Sequence, residues 1–333
     1  MTNQNKIHIA ITHNDAYTEH SVTCITSILE NSKEDIVFHI IDGALNDFSK
    51  ERITEVVKKY NSEVEFNKID NSMFDGYKKS DYYPVQILWT MVLPDIEDLQ
   101  NLERLIYLDC DMVIHSSLKE LWEMPFDDNY ILAVEDANGK KYSRRFLDGK
   151  SKFFNTGLMV INCKKWREDK ISEKAVEQAI KNTGTPLGYD QTVLNQLLIN
   201  HIKFLNLKWN LQYCPLNVWA TYDDNIEYKL AIKEPNIIHY VGDYKPWAQG
   251  LGCYNPKQKD YFKYHEMTYY KKDNLENWLK KDKMQFYKGI IAFIKRYPLF
   301  FLKKCFGKIY LDLYKIYPLF EFFKRKKRCT YHA

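Results

Sequence analysis

Apolar residues fall in short blocks along the chain, and stretches with helical spacing separate them. Residues 7–12 form a compact apolar run and predict a strand. In residues 17–31, Val22, Ile25 and Leu29 recur at i, i+3 and i+7, which predicts an amphipathic helix. A mainly aliphatic run at 36–41 ends at Asp42-Gly43 and predicts a second strand. Residues 49–60 predict a helix, with Ser49 as its cap and Arg52, Glu55 and Lys59 on the wet face. Alternation over 63–69 predicts a strand, and 84–93 predicts a helix opened by Pro84 and stopped before Pro94. Further strands are expected in the five-residue apolar run from Arg104 that leads into Asp109, and at 130–134, 156–161, 202–205 and 236–240, and helices at 172–181 and 191–200. Strands alternating with helices imply an α/β fold, with a mostly parallel sheet covered by helices on both faces.

The 333 residues, 45% of them hydrophobic, suffice for one large core plus an appendage. Seven cysteines are dispersed without any Cys-x-x-Cys pair, which argues against a structural zinc site and suits a reducing compartment. The N-terminal residues pass from polar straight into a strand pattern, without the apolar region of a signal peptide. No apolar run reaches the roughly 18 residues of a spanning helix, so a cytoplasmic location is expected.

Charge divides the chain. Residues 283–328 hold 13 Lys and Arg against two acids, Asp312 and Glu321, a balance of +11 against −7 for the remainder. Within this tail, aromatic and aliphatic residues interleave with the basic ones, and Pro298 and Pro318 interrupt it. Such composition fits helices lying in a membrane interface, where each Lys or Arg near an anionic leaflet contributes ~1 kcal/mol. A helix packed on the body with solvated charges is the other reading. Nucleic acid fits less well, because long aliphatic side chains add little to phosphate binding. The expected organisation is a catalytic domain over 1–280 and a membrane-associating tail over 281–333, peripheral on the inner face of the membrane.

Four stretches can carry chemistry. Arg-Leu-Ile-Tyr-Leu-Asp-Cys-Asp, ending at Asp109 and Asp111, runs an apolar strand into two carboxylates one residue apart. Residues i and i+2 of a strand share a face, so both can converge at the sheet end where α/β proteins bind ligands. Hard oxygen ligands there suit Mg²⁺ or Mn²⁺. Asn155 and Gly157 precede an apolar strand, offering an amide for sugar hydroxyls and room for close approach. Asp190 and Gln191 open a helix, where an aspartate is commonly a cap. His239 ends a strand and is followed by Gly242 and Lys245, an imidazole for a metal and a compact cation for phosphate.

Together, Tyr-Leu-Asp-Cys-Asp, Phe-Asn-Thr-Gly-Leu-Met-Val-Ile-Asn-Cys-Lys-Lys-Trp, Tyr-Asp-Gln-Thr-Val-Leu-Asn and His-Tyr-Val-Gly-x-x-Lys-Pro-Trp resemble the ordered motifs of glycosyltransferase family 8. The resemblance covers residues 5–265. It implies a GT-A (Rossmann-like) fold, a UDP-hexose donor, Mn²⁺ (or Mg²⁺), and transfer with retention of configuration. By that likeness Asp109, Asp111 and His239 are metal ligands, and Gly242 and Lys245 bind the diphosphate. Asp136, Asn155, Asp190 and Gln191 hold the donor sugar or face the acceptor, Gln191 lying where the family's candidate nucleophile falls. Asn14 and Tyr17 match the uridine loop, in which Ala16 replaces a polar residue. The Tyr-x-Arg of many members is represented here by Trp89-Thr90-Met91, so Met91 is expected where a donor-binding arginine stands. The implied activity is transfer of galactose or glucose to a lipopolysaccharide-type or other cell-surface glycan. A soluble-acceptor or self-glycosylating transferase and a silent UDP-sugar-binding protein are the alternatives. No Gly-x-Ser-x-Gly or phosphate-binding Gly-x₄-Gly-Lys is present, and Gly250-Leu251-Gly252 lacks the third glycine of a dinucleotide loop.

Overall fold

A computed structural model describes residues 6–78, 85–212, 226–242, 245–250, 255 and 257–296. The first half contains β1 (Ile7–Thr12), α1 (Thr18–Asn31), β2 (Ile36–Asp42), α2 (Asp47–Lys59), β3 (Glu63–Lys68), β4 (Arg104–Asp109) and β5 (Met112–Ile114). There follow α3 (Lys119–Glu123), β6 (Ile131–Glu135), α4 (Gly139–Phe146), β7 (Phe154–Asn162), α5 (Cys163–Glu168), α6 (Ile171–Lys181) and α7 (Asp190–Leu197). The last part holds β8 (Ile202–Phe204), β9 (Leu211–Gln212), α8 (Ile226–Lys233), β10 (Ile237–His239), α9 (Gln258–His265) and α10 (Leu275–Arg296).

A seven-stranded sheet runs in the order β3-β2-β1-β4-β7-β6-β8, and β5-β10-β9 form a small second sheet. In the large sheet only β7 pairs antiparallel with its neighbours, so the sheet is mostly parallel, as expected. Alternation along β4 divides the core. Ile106 and Leu108 join Ile9, Ile11 and Ile25 on one face, while Leu105 and Tyr107 join Trp89, Met159 and Trp166 on the other.

Helix α1 is buried along most of its length despite its hydroxyls. Thr23, Thr26 and Ser27 donate to the carbonyls of Glu19, Val22 and Cys24 at 2.8, 2.7 and 2.6 Å, so no hydroxyl among these three is left unsatisfied in the core.

Three local expectations change. The cap of α2 is Asn46, whose side chain accepts from the Ser49 backbone at 2.8 Å. Ser49 instead donates its hydroxyl to Asp15 at 2.6 Å, tying the turn Asp15–Tyr17 to α2. Residues 85–91 form a 3₁₀ helix rather than an α-helix, and Pro84 lies outside the described residues. The i→i+3 bonds Val92 to Trp89 and Asp95 to Val92 continue that tighter winding up to and past Pro94, whose ring disfavours an α-helical path. Strand β7 starts at Phe154, so Asn155 and Gly157 lie within it.

Helix α10 continues across position 280, and residues 297–333, most of the basic tail, lie outside the described residues. Among the described residues, no helix is long and apolar enough to cross a membrane.

Buried histidines make the fold sensitive to acid. His39 shares a hydrogen bond with His8 at 2.9 Å and is lowered to about 4, by burial first and the His8 charge second. His20 bonds the Tyr261 hydroxyl at 2.8 Å and is also lowered to about 4, mainly by burial. Both ordinarily titrate at 6.5, so below that the unfolded chain takes up protons that the folded one refuses until about 4. Their stabilisation is complete above pH 6.5 and declines as pH falls towards 4. At pH 5 each loses on the order of 2 kcal/mol. The urea midpoint should therefore drop between pH 7 and pH 5, and less so in His39→Gln; equal midpoints for the wild type would contradict this.

Candidate active site

Strand β4 ends at Asp109, and Cys110 and Asp111 form a turn into β5. The carboxylates thus converge because the chain turns, rather than because two strand positions share a face. Strand β10 lies antiparallel to β5 with His239 opposite Met112, and the Tyr240 amide donates to the Asp111 carbonyl at 3.1 Å. This pairing sets the imidazole beside both acids: His239 Nε2 is 3.1 Å from Asp111 Oδ1 and 3.5 Å from Asp109 Oδ2. Among the described residues, these three are the one group of His, Cys, Asp or Glu side chains able to hold a metal, with ligand atoms within 4.8 Å of one another.

The donor set fits a divalent cation. His239 Nδ1 bonds Asn210 Oδ1 at 3.1 Å; donation to that oxygen leaves the Nε2 lone pair facing the carboxylates. Asp111 Oδ1 is buried and makes no hydrogen bond. Its other oxygen takes the Lys245 ammonium, which also donates to the Tyr240 carbonyl at 2.6 Å. Burial favours the neutral acid at Asp111, but Lys245 and His239 outweigh it and hold the carboxyl well below its usual range. Burial and then repulsion from Asp111 raise Asp109, although its side chain is 39% exposed. Tyr107 donates to Asp109 at 2.7 Å. The Cys110 thiol is raised by burial and by both acids, so it stays protonated and is a poor nucleophile.

Gly157 makes the room. A Cβ there would lie 2.4 Å from His239 Cε1 and 2.7 Å from Asp109 Oδ2, so any side chain would occupy the space between the ligands.

A cavity of about 440 Å³ opens beside Asp109. Asn14 and Tyr17 line it, as do Thr12 and His13, with Thr156 and Asp190 also on its wall. Asp190 is the first residue of α7. It accepts from Thr156 at 3.3 Å and Thr90 at 3.4 Å, and burial raises it to about 6 despite a hydrogen bond from the Gln191 amide, with the Asp109 charge adding to the rise. Asp136, Asn155 and Gln191 form one network beside this wall. Gln191 Oε1 accepts from the Thr156 amide at 3.2 Å and Asn155 Nδ2 at 3.3 Å, while Gln191 Nε2 donates to Asp136 at 3.1 Å. Gly242 has φ +72°, which glycine adopts freely.

Met91 does not face this cavity. It is fully buried in the apolar core, and Gln86, Ile87 and Thr90 of the same 3₁₀ segment line the cavity instead. The tighter winding changes which side chain faces inward. Sequence reasoning also missed Asn210 and the stack of Trp247 on His20, whose rings lie 3.6 Å apart. Asn210 has no motif of its own, whereas Trp247 closes the His-Tyr-Val-Gly-x-x-Lys-Pro-Trp run.

The family model for glycosyl transferase family 8 matches residues 8–250. The chain belongs to that family. This glycosyltransferase is 31% identical to a lipopolysaccharide 1,2-glucosyltransferase of Escherichia coli, over 72% of its own length and 71% of that protein. General stress protein A of Bacillus subtilis (strain 168) is 26% identical, over 81% of this chain and 96% of that one. Among solved structures, the bifunctional glycosyltransferase WbbM aligns with TM-score 0.70 at 17% identity, over 85% of this chain and 53% of WbbM. The galactosyltransferase LgtC, solved with donor and acceptor sugar analogues, aligns with TM-score 0.67 at 19% identity, over 83% of this chain and all of LgtC. These likenesses place the fold as GT-A.

Gly157→Ala should leave the protein folded and weaken divalent-cation binding about 10–100-fold, the usual cost of disturbing a shell around metal ligands. Calorimetric titration with Mn²⁺ measures this, and wild-type affinity would show that the glycine is not needed for the cradle.

Proposed function

We propose that this glycosyltransferase moves a hexose from a UDP-sugar to a glycan acceptor with retention of configuration, and that Asp109, Asp111 and His239 hold Mn²⁺. The observation that carries the reading is the Asp-Asp-His cluster beside a cavity lined by Asn14 and Tyr17. When bound, the cation supplies Lewis-acid stabilisation of the departing diphosphate.

The chain's own groups divide the remaining work. Asn14 and Tyr17 hold the uridine. Lys245, kept fully charged because Asp111 more than offsets its burial, neutralises phosphate charge alongside the Gly242 backbone. Asp190 accepts a donor-sugar hydroxyl, and Asp136 and Asn155 orient the sugar through Gln191. With no arginine on the 85–91 segment, the Gln86 and Thr90 wall takes over donor selection, through neutral contacts.

Gln191 Oε1 already accepts from the Thr156 amide and Asn155 Nδ2, so its lone pairs are engaged. An amide oxygen so held is a weak nucleophile. Same-face attack, with the leaving diphosphate taking the acceptor proton, needs none.

Relatives named as lipopolysaccharide 1,2-glucosyltransferase and 1,3-galactosyltransferase support a lipopolysaccharide-type acceptor, which lies at a membrane. We infer that the basic tail docks the enzyme on the inner face of that membrane. Met284, Tyr287 and Ile291 form an exposed apolar stripe on α10, with Lys283 and Lys288 beside it.

UDP release from a panel of UDP-hexoses should depend on Mn²⁺, and Asp111→Asn should lower it about 10²–10³-fold. Turnover samples analysed by mass should carry no glycosyl adduct on Asp190 or Gln191; an adduct would replace same-face attack with a two-step route. Full turnover by Asp111→Asn would refute the metal assignment.

The full chain should bind anionic phosphatidylglycerol vesicles at low salt and leave them at high salt. A variant ending at Arg296 should bind at least about tenfold more weakly, since nine Lys and Arg are removed. Equal binding by the two would end the tail's docking role.

A further inference from the structure

The loop carrying Lys245 is held from behind by the C-terminal helix. Asp282 of α10 is completely buried. Its Oδ1 accepts from the Gly250 amide, and its Oδ2 accepts from Gln258 Nε2 at 2.9 Å. Gln258, at the start of α9, also donates to the Pro246 carbonyl at 2.9 Å. One carboxylate thus grips both ends of the segment 246–250, directly at Gly250 and through Gln258 at Pro246. Asp282 forms no ion pair among the described residues, so these N–H donors are what compensate its burial.

The gripped segment touches the candidate site at two points. Lys245, next to Pro246, reaches Asp111. Trp247 stacks on His20 at 3.6 Å and meets the Tyr17 ring edge-on at 6.5 Å. Gly250 has φ +85°, a conformation that presents its amide to α10 at little steric cost.

We propose that Asp282 is a positioning residue for nucleotide binding, acting through the 245–250 loop on Lys245 and Trp247. The inference rests on Lys245 facing the diphosphate, as set out above. It assigns the first half of α10 to the working catalytic unit, although the charge pattern places that helix at the start of the tail.

The test uses the full chain, with UDP plus Mn²⁺ as the titrant and hydrogen exchange of the 245–250 amides as a second readout. Asp282→Ala should weaken UDP binding roughly tenfold, the scale of losing hydrogen bonds to a charged acceptor, and should speed exchange of the loop amides. Lys245→Ala should cost less in the Asp282→Ala background than in the wild type, because both changes remove the same contact with the diphosphate. Asp282→Asn keeps an acceptor for Gly250 but turns an amide towards Gln258, so it should fall between the two. That variant carries the comparison if the alanine form does not fold. Wild-type exchange in the loop, unchanged UDP affinity with a loosened loop, or full additivity with Lys245→Ala would each overturn the proposal. Failure of the wild type to bind UDP would instead overturn the nucleotide assignment, and the exchange comparison would then decide the clamp alone.

Discussion

Two carboxylates, Asp109 and Asp111, are held within 4.8 Å of each other and of an imidazole. At an effective dielectric near 20, two full charges at that separation repel by about 3 kcal/mol. The fold meets this cost with charge and donors of the opposite kind. Lys245 takes one oxygen of Asp111, Tyr107 donates to Asp109, and one Asp111 oxygen stays without a hydrogen bond. A divalent cation completes such a set, which is why the rest of the structure can be understood as support for it. Gly157 clears the space, Asn210 orients the imidazole, and β10 exists in the small sheet to deliver His239.

The wall around Asp190 rests on a different balance. Asp136, Asn155, Gln191 and Thr156 hold one another through directed hydrogen bonds, and Asp190 is tethered by two threonine hydroxyls. Each group has its orientation set before a ligand arrives, so little reorganisation is required when a polar ligand enters. Burial, with the Asp109 charge, raises the Asp190 carboxyl to about 6 against the hydrogen bonds that favour its charged form.

Much of this was legible in the chain itself. Local periodicity located the seven strands of the large sheet and β10, because a buried strand in a parallel sheet must be apolar on both faces, whereas the short β5 and β9 left no such signal. The motifs around Asp109, Asn155, Asp190 and His239 were visible because each sits at or near an element end, where polar residues interrupt an apolar run. Three features were not legible for a common reason. The inward-facing residue of the 85–91 segment depends on 3₁₀ rather than α winding, so Thr90 lines the cavity while Met91 enters the core. Asn46 displaced Ser49 as the cap of α2 because Asp15, distant in sequence, claims the serine hydroxyl. Asp282 lies in a stretch whose composition reads as tail, yet it is buried against Gly250 and Gln258.

The sequence alone determined the α/β alternation, the two aspartates one residue apart, the ordered motifs and the separation of a basic tail from an acidic body. All of these follow from side-chain chemistry and spacing along the chain. Tertiary structure decided which side chains meet. The turn after β4 and the antiparallel pairing of β5 with β10 bring His239, more than a hundred residues away, onto the aspartates. The burial of Asp282 brings α10 onto the Lys245 loop. Contacts between distant residues depend on how sheets and helices close around a shared core, and no local pattern encodes that closure.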